Sequence, residues 1–137
     1  MPYYPDGSIY DPSIAGSPYL GPEPGVTFGW LSPEHPYPIG QCPTDTLDAI
    51  ERAAETPMHR MRGYQACLLC EPARDVHEYL TKSGRHLWIG DATAVLLDRT
   101  GIKWFAPTLV LHYICDHLYL PPSPGWVLPC SHLPVDS

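Results

Sequence analysis

Two pairs of metal-ligand residues constrain this chain more than any other feature. Cys67-Leu68-Leu69-Cys70 presents two thiols on one tight turn. His112-Tyr113-Ile114-Cys115-Asp116-His117 presents two imidazoles with a third thiol between them. C-x2-C followed by H-x4-H lies within the spacings that build closed tetrahedral zinc sites. A closed site is a structural one, so the pattern bears on how the chain is held together before it bears on chemistry.

The histidines fall on an expected helix that opens at Ala106-Pro107-Thr108, with proline at the favoured first position, and runs to about Leu118. His112 and His117 are five apart, about 140° around an ideal helix, so they converge only if the last turn tightens or unwinds. His112 and Cys115 are three apart and share a face without distortion. The fourth ligand is therefore His117 or Cys115, with His117 preferred because helix ends distort readily. Against the metal stands the ordinary role of cysteine as a small buried residue and of histidine as a hydrogen-bonded core group. A thioredoxin-like redox motif would need the first cysteine at a helix start, and Leu68-Leu69 within the motif with Glu71-Pro72 after it argue against that.

A chain of 137 residues is expected to form one domain, or one small domain with an extension. Its eighteen prolines and eleven glycines leave a modest core, and small cores often need a staple such as a metal. Residues 1–43 hold ten of those prolines and five of the nine tyrosines. Proline fixes its own φ and extends its predecessor, so this stretch reads as extended or loop structure without periodicity. The expected organisation is a Pro/Tyr-rich acidic arm over 1–27, a zinc-finger-like body over 28–122 and a tail over 123–137.

Charge is uneven. Residues 1–51 carry seven acids and no Lys or Arg, whereas residues 52–137 carry eight of each sign. An acidic arm on a neutral body repels phosphate backbones and disfavours nucleic acid as a bulk electrostatic partner. Residues 1–20 lack the basic start and apolar run of a signal peptide, and no stretch approaches a membrane span. Five cysteines, an odd number, then fit a cytoplasmic protein with free thiols or a metal site better than a secreted disulfide scaffold.

The remaining elements follow from pattern. Thr44 to about Thr56 reads as a helix capped by Thr44, with Leu47, Ile50 and Ala54 as its apolar stripe and Pro57 as its stop. Val76–Leu80 is compatible with a short helix. Arg85–Ile89 and Ala94–Leu97 read as strands around Gly90-Asp91, and Gly101–Phe105 as a third. The core is expected from Leu47, Ile50, Leu87, Ile89, Val95, Leu97, Trp104, Leu109, Val110 and Ile114. Residues 123–137 are expected to trail along the surface. The fold class that results is α+β: a small zinc-stapled ββα-like domain with an N-terminal helix and a Pro/Tyr-rich extended arm.

Four blocks occur in order: Phe28-Gly29-Trp30-Leu31, then His35-Pro36-Tyr37-Pro38-Ile39-Gly40, then Arg62-Gly63-Tyr64-Gln65-Ala66-Cys67-Leu68-Leu69-Cys70, and finally Phe105-Ala106-Pro107-Thr108-Leu109-Val110-Leu111-His112 through His117 to Pro121-Pro122. Together they resemble an uncharacterised family of small bacterial proteins, common in actinobacteria and myxobacteria, with the pattern GWL…HPFPTG…TRGxHxCxxC…YAAPxLIxHYVxxHxYxPP. The resemblance spans about residues 28–122. It implies a zinc-finger-like protein whose standing features map to Cys67, Cys70, His112 and His117, and it implies no activity. This chain departs from the pattern at Gln65, where the pattern has a histidine beside the site, and at Met61, where it often has threonine.

Three function classes remain. Exposed Tyr and Trp on proline-fixed segments suit a protein-interaction or accessory module carrying a structural Zn2+, with another protein as the expected partner and the Pro/Tyr-rich arm as a candidate contact. A nucleic-acid-binding reading would gather Arg60, Arg62, Arg74, Lys82, Arg85, Arg99 and Lys103 beside Trp88 and Trp104. An enzyme would need an open metal position with Glu71 or Asp116 as base, or a nucleophile from Cys42, Cys115 or Cys130 paired with His35, His59 or His86; no catalytic motif supports either. The expectation is a structural zinc and no catalysis.

Overall fold

The computed structural model describes residues 3–13, 20–21, 23–59 and 64–127. Among the described residues it is a mixed α+β structure with two helices, one five-stranded sheet and two two-stranded ribbons. The elements are β1 (Ser8–Tyr10), β2 (Gly25–Thr27), α1 (Thr44–Glu55), β3 (Ala66–Cys67), β4 (Arg74–Asp75), β5 (Glu78–Leu80), β6 (His86–Trp88), β7 (Thr93–Asp98), β8 (Lys103–Pro107), α2 (Val110–Asp116) and β9 (Trp126–Val127). No described helix is long and apolar enough to cross a membrane.

The large sheet runs β1-β2-β8-β7-β9. Its centre is the β7–β8 hairpin, in which Val95 faces Phe105 and Leu96 faces Trp104. Asp98 locks the turn: its carboxylate accepts from the Thr100 N–H and hydroxyl, the Ile102 N–H and the Trp104 indole N–H. β2 joins β8 in parallel and β1 joins β2 antiparallel, so described residues from the 1–27 segment extend the sheet. Gly25 allows that parallel approach, because a Cβ there would lie 2.4 Å from the Phe105 ring and 2.6 Å from the Lys103 carbonyl oxygen. At the other edge Trp126–Val127 pair with Leu97–Asp98, so this part of 123–137 does not trail along the surface. Residues 128–137, including Cys130, lie outside the described residues.

Both faces of the sheet are covered. On one, Ala94, Leu96 and Ala106 pack with Ala49, Ile50, Ala53 and Ala54 of α1 and with Leu109, Val110, Leu111 and Ile114 around α2. The small alanines let helix and sheet approach closely, and burial of Ile50 alone contributes roughly 2 kcal/mol. On the other, Tyr10, Leu20, Trp30 and Phe105 form a second cluster with Tyr4 and Val95 against it. The Trp30 indole donates to the Phe105 carbonyl at 3.1 Å. Val95 is therefore half-buried on the second face and Leu97 is also half-buried, while Leu96 takes the deep position. Leu47 and Trp104 likewise pack at the edge of the main cluster rather than in its centre.

Several local expectations are corrected. α1 starts at Thr44 with Pro43 in the cap position and no side chain capping it. Residues 78–80 form a strand, not a helix, because Tyr79 and Leu87 alternate inward across the β5–β6 hairpin. That pairing also separates β6 from β7, which were expected to face each other around Gly90-Asp91. Pro107 closes β8 opposite Thr93 instead of opening the helix, which begins at Val110.

Candidate metal centre

The cysteine turn is carried by the β3–β4 ribbon, in which Cys67 stands opposite Arg74. Cys67 is fully buried, Leu69 packs against the core and Leu68 is 51% exposed. The turn curls back so that the Cys67 sulfur accepts from the backbone N–H groups of Cys70 and Leu69.

The histidines approach from α2. His112 lies mid-helix and is buried. His117 is the residue that ends the helix, with φ −120° and ψ 11°, and Leu118 follows at φ +55°. This departure from helical geometry swings His117 back toward His112, the unwinding that the five-residue spacing demands. Tyr119 N–H then returns to the Tyr113 carbonyl at 3.1 Å and anchors the reversal.

Both imidazoles present Nε2 to the sulfurs. Cys67 Sγ lies 3.5 Å from His117 Nε2, and Cys70 Sγ lies 3.4 Å from each of His112 Nε2 and His117 Nε2. One ligand atom from each of Cys67, Cys70, His112 and His117 falls within 4.8 Å of all the others. The four are close enough together to hold one metal ion. Cys115 lies apart from them. It is exposed, 3.6 Å from the Tyr79 hydroxyl, which itself donates to Glu51 at 2.6 Å.

Electrostatics suit ligands that await a cation. Burial pushes the Cys67 thiol up to about 11, with the backbone N–H groups of Cys70 and Leu69 pulling the other way. Burial lowers the His112 pKa, opposed by Asp116 and reinforced by His117 and Arg74, which keeps the ring in the neutral form that binds metals. A cation would replace the solvation that the thiolates lack.

Asp116, weighed from the sequence as a candidate base, makes contacts outside the four-residue cluster that the sequence did not show. Asp116 Oδ2 lies 3.4 Å from His112 Nδ1 and 3.8 Å from Arg74 Nη2. The signal was present as an i,i+4 His–Asp pair on one helix face. Asp116 thus sits behind a ligand ring, and Glu71 is exposed on the turn. The Gln65 backbone N–H donates to the Gly90 carbonyl at 2.9 Å. Met61, Arg60 and Arg62 lie outside the described residues.

The other candidate groups are dispersed. Arg74, Arg85 and Lys103 each face a carboxylate, respectively of Asp116, Glu55 and Glu23. Trp104 is tied to Asp98, and Trp88 stays exposed. His35 stacks on Tyr3 and His86 meets Glu78 at 2.7 Å, so neither stands against a cysteine in these contacts. Cys42 is half-buried, with its thiol pushed up to about 11 by burial first and then by Cys115 and Asp45.

No significant match is found among curated proteins or among solved structures. A family profile does match, over residues 2–124, and it takes in the arm, the cysteine turn and the histidine helix together. The chain belongs to the family described as a domain of unknown function, DUF7919.

Proposed function

We propose that this is a small structural-zinc protein acting as a protein-interaction or accessory module, without catalysis. The observation that carries the metal identity is the spacing of the donors. Zinc bonds of about 2.3 Å to sulfur and about 2.0–2.1 Å to nitrogen, at tetrahedral angles, separate the two kinds of atom by about 3.5 Å. Three of the four sulfur–nitrogen distances are 3.4–3.5 Å, and all four donor atoms lie within 4.8 Å of one another. Two thiolates and two imidazoles are also the donor set zinc prefers over harder cations. Four protein donors leave no open position for water or substrate, which argues for a structural role. The chain order of cysteine turn, β7–β8 hairpin and α2 supports a zinc-finger-like reading, with the β5–β6 hairpin between the first two.

The interaction reading draws on surface chemistry. The described arm tyrosines are engaged within the chain: Tyr4 packs edge-on against Trp30, Tyr10 against Phe105, and Tyr3 stacks on His35. Exposed apolar side chains include Ile9 of β1 at 84% and, on the β5–β6 hairpin, Leu80 at 65% and Trp88 at 52%, the hairpin adding the one exposed tryptophan among the described residues. An exposed tryptophan with a leucine diagonal to it on a two-stranded ribbon is a low-entropy contact group for another protein. The acidic balance favours a basic partner surface, and a reducing cytoplasm would keep the thiols available.

The first test is metal content by mass spectrometry on untagged protein, with thiol titration of the same sample. About one zinc per chain is expected, with Cys67 and Cys70 unreactive until a chelator is added. Protein without metal, with both thiols freely reactive, would overturn the structural-zinc reading. For the interaction role, Trp88→Ala with Leu80→Ser is expected to release a co-purifying protein while leaving zinc content unchanged; retention of that protein would remove this surface as the contact.

A further inference from the structure

The geometry points to Asp116 and Arg74 as positioning residues that set the affinity of the Cys67, Cys70, His112 and His117 centre by arranging it before the metal arrives. This rests on the metal-site reading above and adds what determines its strength.

A neutral imidazole carries one proton, on either nitrogen. Asp116 Oδ2, 3.4 Å from His112 Nδ1, electrostatically favours the proton there. The Nε2 lone pair is then free, and Nε2 is the atom that lies 3.4 Å from the Cys70 sulfur. The nearby carboxylate therefore favours the tautomer that can ligate and the ring orientation that places Nδ1 toward it.

Arg74 extends this across the fold. It is the register partner of Cys67 in the β3–β4 ribbon, and its guanidinium lies 3.8 Å from the same carboxylate oxygen. The ribbon that carries the thiols is thus tethered to the helix that carries the imidazoles by a contact in which no metal takes part. Because Arg74 and Asp116 are 61% and 53% exposed, their attraction contributes little to global stability. Its effect is felt where two separate elements must meet at one point.

The test is zinc affinity measured by competition with a chromogenic chelator on wild type, Asp116→Ala, Asp116→Asn and Arg74→Ala. Nitrogen-15 spectra of the His112 ring in the metal-free proteins provide a second readout. Asp116→Ala is expected to weaken zinc binding about tenfold or more, still reaching one zinc per chain at saturation with the circular dichroism of the loaded wild type. Asp116→Asn, whose side-chain oxygen can face the same Nδ1–H, is expected to recover part of the loss. Arg74→Ala is expected to lose less than Asp116→Ala. Metal-free wild type is expected to hold the Nδ1–H tautomer, and Asp116→Ala a mixture. Wild-type affinity in Asp116→Ala, or a variant that fails to fold even with zinc, would overturn this inference while leaving the metal site standing. A wild-type protein that takes up no zinc would overturn both.

Discussion

The hydroxyl of Tyr119 donates to the carboxylate of Asp6 at 2.7 Å, joining residues 113 apart in the chain. Tyr119 is fully buried, and the second oxygen of Asp6 accepts from the Gly29 N–H at 3.1 Å. One exposed aspartate near the start of the chain thereby ties the loop before Trp30 to the segment that follows the histidines. Asp6→Ala should cost about 1 kcal/mol, since two donors lose a charged acceptor that water can partly replace. Tyr119→Phe should cost a similar amount. The double variant should be little worse than either alone, as urea unfolding of the four proteins in a cycle would reveal.

Loss of the metal should be felt throughout the domain. Cys67→Ser leaves the remaining donors incomplete in a buried site, and folding and metal binding are coupled. The variant should lose zinc and at least about 3 kcal/mol of stability, as should the wild type with excess chelator. Thermal unfolding followed by circular dichroism with and without chelator checks this, and a metal-free Cys67→Ser as stable as the zinc-loaded wild type would sink the structural role.

Acid should act through Asp98. The Thr100 hydroxyl, the Trp104 indole and the backbone N–H groups of Ile102 and Thr100 hold its carboxyl at about 2, below the ordinary 3.8. The folded state thus binds this proton less readily than the unfolded chain. The stability it contributes is complete above about pH 4 and is lost as pH falls through 2. Asp98→Asn should be less stable than wild type at pH 7, and its urea midpoint should change less between pH 4 and 2. Parallel slopes for the two proteins would remove Asp98 from the account.

Leu118 occupies the left-handed region at φ +55° with its side chain 57% exposed, directly after a proposed ligand. A leucine there is strained by about 1 kcal/mol, and glycine adopts the same backbone freely. Leu118→Gly should therefore be neutral to stabilising by up to about 1 kcal/mol, with unchanged zinc content, measured by chemical denaturation. A clear loss of stability would mean that the side chain holds His117 in place.

The sequence was most legible where chemistry and local geometry coincide. The two Cys and His pairs that the fold brings together stand out by residue type and spacing, and the departure of His117 from the helix follows from its position five residues after His112. α1 was bounded within a residue by its apolar stripe and Pro57, although Thr44 proved not to cap it. Strand faces were harder. Val95 and Leu96 are both apolar because both faces of β7 are covered, and alternation cannot rank them when a distant segment buries the second face. β1, β2 and β9 have only two or three residues each, too few for any periodicity. Their existence is decided by partners far away in the chain. Asp116 looked like an ordinary surface acid because only the fold brings Arg74 to its other side.

The parallel pairing of β2 with β8 has a consequence for how the chain acquires its shape. Val26 meets Trp104, so one sheet is woven from residues near both termini while the cysteine ribbon and first helix lie between. During synthesis the early strands are made long before their partner, and closing so long a loop is slow. No fragment cut between them can keep the sheet, because each piece would carry only one side of the seam. The domain is born last at its own beginning.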